Sequence, residues 1–149
     1  MASNLCFETI TARELTEKCR VLKTQGYRLV QIGAARVTDQ LELTYSFDRE
    51  SNLLNLRLTL SPTEPTVPSI SSVYWCAFLY ENEMHDLFGI NVQNLEIDFH
   101  GSLYRTSVQF PFGATRPPVV RPDIAKPVPP AGQPSALDAP PPIPAAPRP

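Results

Sequence analysis

Two neighbouring runs of alternating apolar and polar residues constrain the fold more than any other feature. The apolar positions are Leu41, Leu43, Tyr45 and Phe47 in the first run and Leu54, Leu56, Leu58 and Leu60 in the second. Successive side chains of a strand point to opposite faces, so each run predicts a strand with one apolar face and one polar face. Residues 49–52 between the runs are too few for a crossover and favour a hairpin.

A helix and a further strand precede these two runs. Residues 27–37 are predicted to form a strand that joins the others, through the short connector 38–40, in an antiparallel meander. Thr11 and Glu14 have the spacing of a capping box, and apolar residues at helical spacing follow as far as Gly26, which suits a left-handed helix end. We therefore expect a helix over residues 11–25 that covers the apolar face of the sheet. Residues 5–10 are expected either to add a short strand or to lie across the core.

A second helix is predicted over residues 72–88, ended by Gly89, with Ser69, Ser71 and Ser72 as possible N-cap residues. Residues 91–99 could add another strand. The expected fold class is α+β: an antiparallel three- to four-stranded sheet covered by two helices. We divide the chain into such a domain over residues 1–116 and an extended proline-rich C-terminal tail over residues 117–149.

The tail has a composition unlike the rest of the chain, because it holds 13 of the 17 prolines. Such a segment cannot form a core. We expect it to be extended, either free in solution or laid along a partner as polyproline II. A freestanding module whose tail docks on SH3-type aromatic grooves is a further alternative.

The global composition argues against several classes of partner. A formal net charge of −2 and a pI of about 5.7 do not favour binding to nucleic acid or to an anionic membrane surface. The sequence has three cysteines, Cys6, Cys19 and Cys76, and no two of them form a Cys-x-x-Cys pair. We expect all three to be reduced and buried. The longest apolar run, residues 73–80, is far shorter than the roughly 20 residues of a spanning helix. These features lead us to expect a cytosolic chain without membrane insertion.

An acidic run near the end of the second predicted helix is in conflict with its position. Glu81, Glu83 and Asp86 would lie close to helix carbonyls that carry partial negative charge, which disfavours carboxylates. His85 shares a face with Glu81 and could form an ion pair with it when protonated. The run is either a solvated helix end or an interface. Aromatic residues in several directions around the helix favour the interface: Tyr74, Trp75, Phe78, Tyr80 and Phe88.

An enzyme with a metal site is the alternative from another class, with Glu81, His85 and His100 as candidate ligands. The single Glu-x-x-x-His spacing differs from the paired Glu-x-x-His of di-iron bundles and from the His-Glu-x-x-His of zinc proteases. The sequence also lacks a phosphate-binding glycine loop, a Gly-x-Ser-x-Gly elbow and a plausible Cys–His pair with an orienting acid. We therefore assign no catalytic, cofactor-binding or metal residue in this chain.

Two strings of residues resemble a known family. Val67-Pro68-Ser69-Ile70, followed by Tyr80-Glu81-Asn82-Glu83-Met84-His85-Asp86-Leu87-Phe88-Gly89-Ile90, is similar to the signature of the 30 kDa family of respiratory complex I. The resemblance covers about residues 11–98. Asn82 stands where the complex I proteins usually have arginine, and their His-Pro-Asp-Leu-Arg-Arg-Ile-Leu continuation is missing after Ile90. The chain therefore looks most like the short homologous subunit of energy-converting (Ech-type) membrane-bound nickel-iron hydrogenases, which it also resembles in length and over residues 26–31.

The resemblance implies a non-catalytic scaffold subunit in the peripheral arm of a multisubunit oxidoreductase on the cytoplasmic side of the membrane. Its expected partners are the large catalytic subunit and the small iron-sulfur subunit, which would hold the nickel-iron centre and the iron-sulfur clusters. This chain would hold no cofactor. The 30 kDa subunit of an NADH-quinone oxidoreductase, which is complex I itself, is the alternative. By position, the implied partner interface consists of Glu81, Glu83, His85, Asp86, Phe88 and Gly89.

Overall fold

The computed structural model describes residues 5–113, which form six strands and two helices. They are β1 (Leu5–Thr9), α1 (Leu15–Thr24), β2 (Arg28–Val37), β3 (Gln40–Arg49), β4 (Asn52–Leu60), β5 (Thr66–Pro68), α2 (Ala77–Phe88) and β6 (Asn91–Gln93). The predicted proline-rich tail, and its boundary after residue 116, lie outside the described residues.

The main sheet has the order β1-β4-β3-β2, and its last three strands form the predicted antiparallel meander. Both hairpins have two-residue loops, and positive φ at Thr38, Glu50 and Ser51 gives these loops the twist that antiparallel strands require. Strand β1 pairs in parallel with β4 at one edge of the sheet. Strand β2 therefore forms the opposite edge.

One core lies between the sheet and the two helices. The inner face of the sheet contributes fully buried residues of β3 and β4, and the helices contribute the apolar residues that face it. The members from the helices are Leu15, Cys19 and Leu22 of α1 and Ala77 and Met84 of α2. Burial of the apolar face of the sheet supplies most of the driving force for this arrangement. A mostly antiparallel sheet with two helices packed on it is an α+β fold, so the predicted class is confirmed. No helix within residues 5–113 has the length and apolar character needed to cross a membrane.

The three cysteines differ in their surroundings. Cys19 is buried in the core, as expected, but Cys6 and Cys76 are exposed, so the prediction of three buried thiols is wrong for these two. Cys6 lies on β1, an edge strand whose residues are mostly exposed, and Cys76 immediately precedes α2. Residue type alone did not distinguish these positions from that of Cys19.

The first helix is shorter than predicted at both ends. Its regular part begins at Leu15, because the backbone N–H and the hydroxyl of Thr11 both donate to the Glu14 carboxylate, at 2.8 and 2.7 Å, in a preceding turn. The side-chain half of the predicted capping box is therefore present one turn ahead of the helix. Gly26, with φ of +84°, ends the helix in the left-handed conformation as expected.

The second helix begins at Ala77, and the predicted start at residue 72 is wrong. The Ser69 and Ser71 hydroxyls lie 2.7 Å apart and bond to each other, so they do not cap the helix. The Ile70 carbonyl instead accepts the N–H groups of the two residues that follow Ser72, which makes an irregular turn. Ser69 and Ser71 therefore form hydrogen bonds within the loop before α2 and do not cap the helix.

The predicted strand over residues 91–99 is present only at Asn91–Gln93, which pairs in parallel with β5. Asn94 has φ of +59°, a left-handed conformation that ends the strand. Beyond it the backbone of Ile97 and Phe99 bonds to the side chain of Asn82. A side chain on α2 therefore takes the bonds that a neighbouring strand would otherwise supply.

Replacement of Gly89 by alanine is expected to destabilise the domain more than the same change at Gly26. Both glycines have positive φ, which costs alanine about 1 kcal/mol. At Gly89 an added Cβ would also lie 2.9 Å from the Phe110 ring, whereas at Gly26 the nearest atom would be 3.9 Å away. We expect Gly89→Ala to lower the free energy of unfolding by a further 1–3 kcal/mol, roughly the cost of overpacking. Urea denaturation of both variants measures this difference, and equal losses would contradict it.

Candidate interaction site around the second helix

Helix α2 is held against the β2 edge of the sheet by the hydroxyls of two tyrosines. Tyr74, just before the helix, donates to the carbonyl of Tyr27 at 2.9 Å, and Tyr80 donates to the carbonyl of Val30 at 3.4 Å. Beyond the helix, Gly89 adopts φ of +73° and the Phe110 ring packs over it. The helix that carries the acidic run is therefore attached at its start, middle and end.

Glu81 is fully buried and points into the chain. Its carboxylate accepts a hydrogen bond from the Ser69 hydroxyl at 2.7 Å and one from the Ile70 backbone N–H at 2.7 Å. The Ser69 hydroxyl lies 2.7 Å from that of Ser71. Glu81 thereby joins the two strings of residues that carry the family resemblance, the Val-Pro-Ser-Ile segment and the acidic run.

The surroundings of Glu81 perturb several ionisable groups. Burial raises the pKa of Glu81 above its ordinary value, and the hydrogen bonds from Ser69 and Ile70 oppose part of that rise. Burial, and then the Glu81 charge, raise the pKa of Cys19 to about 12 and that of Tyr45 above its ordinary value. Cys19 is therefore a buried, protonated thiol, and nucleophilic chemistry needs a thiolate.

Asn82 is also fully buried and connects three backbone groups. Its amide nitrogen donates to the carbonyls of Phe78 and Ile97, at 2.7 and 2.8 Å, and its amide oxygen accepts the N–H of Phe99 at 2.8 Å. The residue that departs from the family pattern therefore fixes the segment after β6 onto α2. The sequence gives no sign of this role, because the partners of Asn82 lie up to 17 residues away along the chain.

Asp86 and Glu83 lie one turn apart on α2 and both contact Tyr104. The Tyr104 backbone N–H donates to Asp86 Oδ2 at 2.8 Å, and its hydroxyl donates to Glu83 Oε2 at 3.0 Å. This hydroxyl bond, and then the Glu83 charge, raise the pKa of Tyr104. Asp86 is buried, and its Oδ1 has no hydrogen-bond partner among residues 5–113, whereas Glu83 keeps partial exposure.

Of the two alternatives for the acidic run, the structure disagrees with a solvated helix end in which all three carboxylates face water. Glu81 and Asp86 accept hydrogen bonds inside the chain, and burial is possible because backbone and hydroxyl donors replace water. The expected ion pair of Glu81 with His85 is absent from the described residues, because the His85 ring lies 3.2 Å from the Ile90 carbonyl and against Phe110. Glu83, His85, Phe88 and Gly89 retain partial exposure. The interface role of these four residues, and of Glu81 and Asp86, stays a prediction.

The three candidate metal ligands are not brought together. Glu81 faces Ser69, His85 faces Ile90, and His100 is exposed and paired with Asp98 at 3.1 Å. Residues 5–113 contain no group of three or more His, Cys, Asp or Glu side chains arranged to hold a metal ion. The ligand set that the sequence suggested is therefore not assembled by this part of the chain.

Large apolar side chains remain exposed beside α2. Trp75 is 59% exposed and Leu79 is 49% exposed, and Val30 on the adjoining strand is 38% exposed. Between β2 and α2 runs an open groove, lined by Gly33, Ala34, Tyr80, Leu87, Phe88 and Phe112. A helix face of this kind next to a groove is typical of a protein-binding surface.

The geometry defines an α+β domain in which the acidic run supports the structure and an apolar surface lies beside it. A family comparison matches residues 8–105 to the respiratory-chain NADH dehydrogenase 30 kDa subunit. The chain belongs to this family, as its sequence motifs predicted. A search of curated proteins finds no match to the sequence.

Two solved structures have the same fold at 17% sequence identity. A chain of the archaeal membrane-bound sulfane sulfur reductase, a respiratory membrane complex, aligns with a TM-score of 0.62 over 70% of this chain and 65% of that one. The trypsin-resistant fragment of Nqo5 aligns with a TM-score of 0.54 over 61% of this chain and 80% of the fragment. This chain thus spans slightly less than two thirds of the archaeal relative.

We expect replacement of Glu81 to separate its hydrogen-bonding role from its charge. Glu81→Ala leaves the Ile70 N–H and Ser69 hydroxyl without their acceptor and is expected to lower the free energy of unfolding by about 2–5 kcal/mol. Glu81→Gln can keep one acceptor and donate to Ser69, so the expected loss is smaller.

The free energy of unfolding should also depend differently on pH in the wild-type protein and in the Glu81→Gln variant. The native pKa of Glu81 is raised, so the native state binds the proton more tightly, and stability from this group falls as pH rises from about 4.5 through the native pKa. Glu81→Gln should lack this fall. Denaturant titrations from pH 4 to pH 7 test this, and parallel pH profiles would contradict it.

Asn82→Asp is expected to destabilise the domain by about 2–4 kcal/mol, because an oxygen would then face the carbonyls of Phe78 and Ile97. Asn94→Asp at an exposed turn is the matched control and should cost little. Urea denaturation gives the stability of each variant, and hydrogen exchange should show faster opening around Ile97 and Phe99 only for Asn82→Asp. Equal stabilities of the two variants would argue against the role of Asn82.

Proposed function

We propose that this chain is a non-catalytic scaffold subunit in the peripheral arm of an energy-converting nickel-iron hydrogenase, on the cytoplasmic side of the membrane. It docks on the large catalytic subunit and the small iron-sulfur subunit, which carry the nickel-iron centre and the iron-sulfur clusters. The chain itself binds no cofactor. The 30 kDa subunit of an NADH-quinone oxidoreductase is the second candidate, favoured by the description of the matched family.

One observation carries the proposal: the family motif is used to hold the fold, and the apolar surface beside it is left exposed. Glu81 and Asp86 bond to Ser69, Ile70 and Tyr104 and so fix the loops around α2. Trp75 and Leu79, outside this network, have about half or more of their surface exposed. Buried aromatic and aliphatic side chains dominate the energy of most protein interfaces, which suits a docking role.

The choice of hydrogenase over NADH-quinone oxidoreductase rests on the sequence. Asn82 in place of arginine, and the missing continuation after Ile90, separate the chain from the complex I proteins that it resembles. The buried position of Asn82 supports the view that this difference is accommodated in the fold. The likeness to the archaeal reductase supports membership of a respiratory membrane complex more generally.

Affinity purification of the tagged full chain from its native cell tests the proposal. We expect a hydrogenase-type large subunit and an iron-sulfur subunit to co-purify; quinone-reductase subunits would favour the second candidate instead. Replacement of both Trp75 and Leu79 by serine should reduce co-purification at least about tenfold, the effect of losing 1.4 kcal/mol or more of binding energy.

The double change Leu5→Ser with Phe7→Ser is the matched control. These residues are 58% and 54% exposed on β1, at the opposite edge of the sheet. Circular dichroism should show both double variants folded. Loss of partners from the β1 variant alone would place the interface at the other edge, and recovery of no partner at all would refute the scaffold role.

A further inference from the structure

Strand β2 leaves one side of its backbone unpaired. It pairs with β3 along its length and has no strand on its other side among the described residues. In an antiparallel pair, alternate residues direct both N–H and C=O away from the neighbour, so an edge strand presents a row of free donors and acceptors. Within residues 5–113, only the Val30 carbonyl on this side has a partner, the Tyr80 hydroxyl.

The second half of β2 is protected only in part, by helix α2 on the far side of the groove and by the charge of Arg36. The irregularity in its pairing lies near its start, between Leu29 and Gln31, and the strand contains neither proline nor lysine. Gly33, Ala34 and Ala35 have little or no side chain, so another backbone can approach closely. Beyond Val30, this edge is therefore accessible over several consecutive residues.

The groove along this edge could hold the side chains of an added strand. The groove has two parts, and Phe88 and Phe112 line both of them. In the first part they lie next to Gly33 and Ala34. In the second part, further along β2, they lie next to Ala35 and Arg36. Side chains on one face of a strand recur about every 6.6 Å, so an added strand could place successive side chains against the two parts of the groove. Glu83 lies at one part and Arg36 at the other, so the two ends of the groove differ in charge.

We infer that β2 receives an extended segment of a partner subunit, which adds a fifth strand to the sheet. This inference rests on the proposed function and specifies its contact. The segment has apolar side chains at alternate positions, which enter the groove, and charges opposite to those of the groove: a basic residue next to Glu83 and an acidic one next to Arg36. The chain's own residues 117–149 fit poorly, because their many prolines lack the N–H that such pairing needs.

Residue-resolved hydrogen exchange on the full chain, alone and in the affinity-purified complex, tests the inference. We expect alternate amides of β2 between Gln31 and Val37 to exchange at least about tenfold more slowly in the complex, since each gains an intermolecular hydrogen bond. Amides of the opposite edge strand, β1, should be unchanged. A complex with its expected subunits but with unchanged exchange at β2 would overturn the strand addition while leaving the scaffold role intact.

Two further results would decide whether a partner segment or a second copy of this chain binds at the β2 edge. Glu83→Lys should reduce co-purification several-fold relative to Glu50→Lys, a control in the exposed turn between β3 and β4; equal recovery would overturn the assigned charge pairing. Protection of β2 in the isolated chain that grows with concentration, together with a dimer by light scattering, would assign the edge to a second copy instead. Absence of co-purifying subunits would be a failure of the scaffold proposal and is distinguishable from both results.

Discussion

The pair of hydrogen bonds that Glu81 accepts from Ser69 and Ile70 is the interaction on which the site depends. These bonds tie α2 to the loop that follows β5, and the Ser69 N–H also donates to the Gln93 carbonyl at 2.8 Å, at the end of β6. One carboxylate thus connects the helix, the small parallel sheet and the loop before the helix. Hydrogen bonds to a charged group contribute roughly 1.5–3 kcal/mol each, which offsets part of the cost of burying the carboxylate.

The acidic run looked unfavourable because the C-terminal end of a helix carries partial negative charge, and the fold resolves this conflict with donors from other segments. Glu81 meets a backbone N–H and a hydroxyl, and Asp86 meets the Tyr104 N–H. Asn82, without a charge, satisfies carbonyls and an N–H at once. Each polar residue thereby fastens a segment with little regular structure, which has few other means of being held in place.

The antiparallel meander of the main sheet was predictable because strand alternation is a local property, whereas the parallel pairing of β1 with β4 was not predicted. The alternation from Leu41 to Phe47 depends only on neighbours in sequence, and its inner face is buried as expected. The start of α2 was not predictable from Ser69 and Ser71, since their hydroxyls are occupied by each other and by Glu81, twelve residues away from Ser69. The orientation of the Glu81 and Asp86 carboxylates also depends on donors that are distant in sequence. Residue type and helix spacing therefore could not predict it.

Because Glu81 and Asp86 of the family signature are buried, they are not the first residues that a binding partner would contact. A partner that approaches α2 meets Trp75, Leu79 and the open edge of β2 before it meets Glu81 or Asp86. Of the signature residues, Tyr80 contacts β2 directly, because its hydroxyl donates to the Val30 carbonyl and so joins α2 to one wall of the groove.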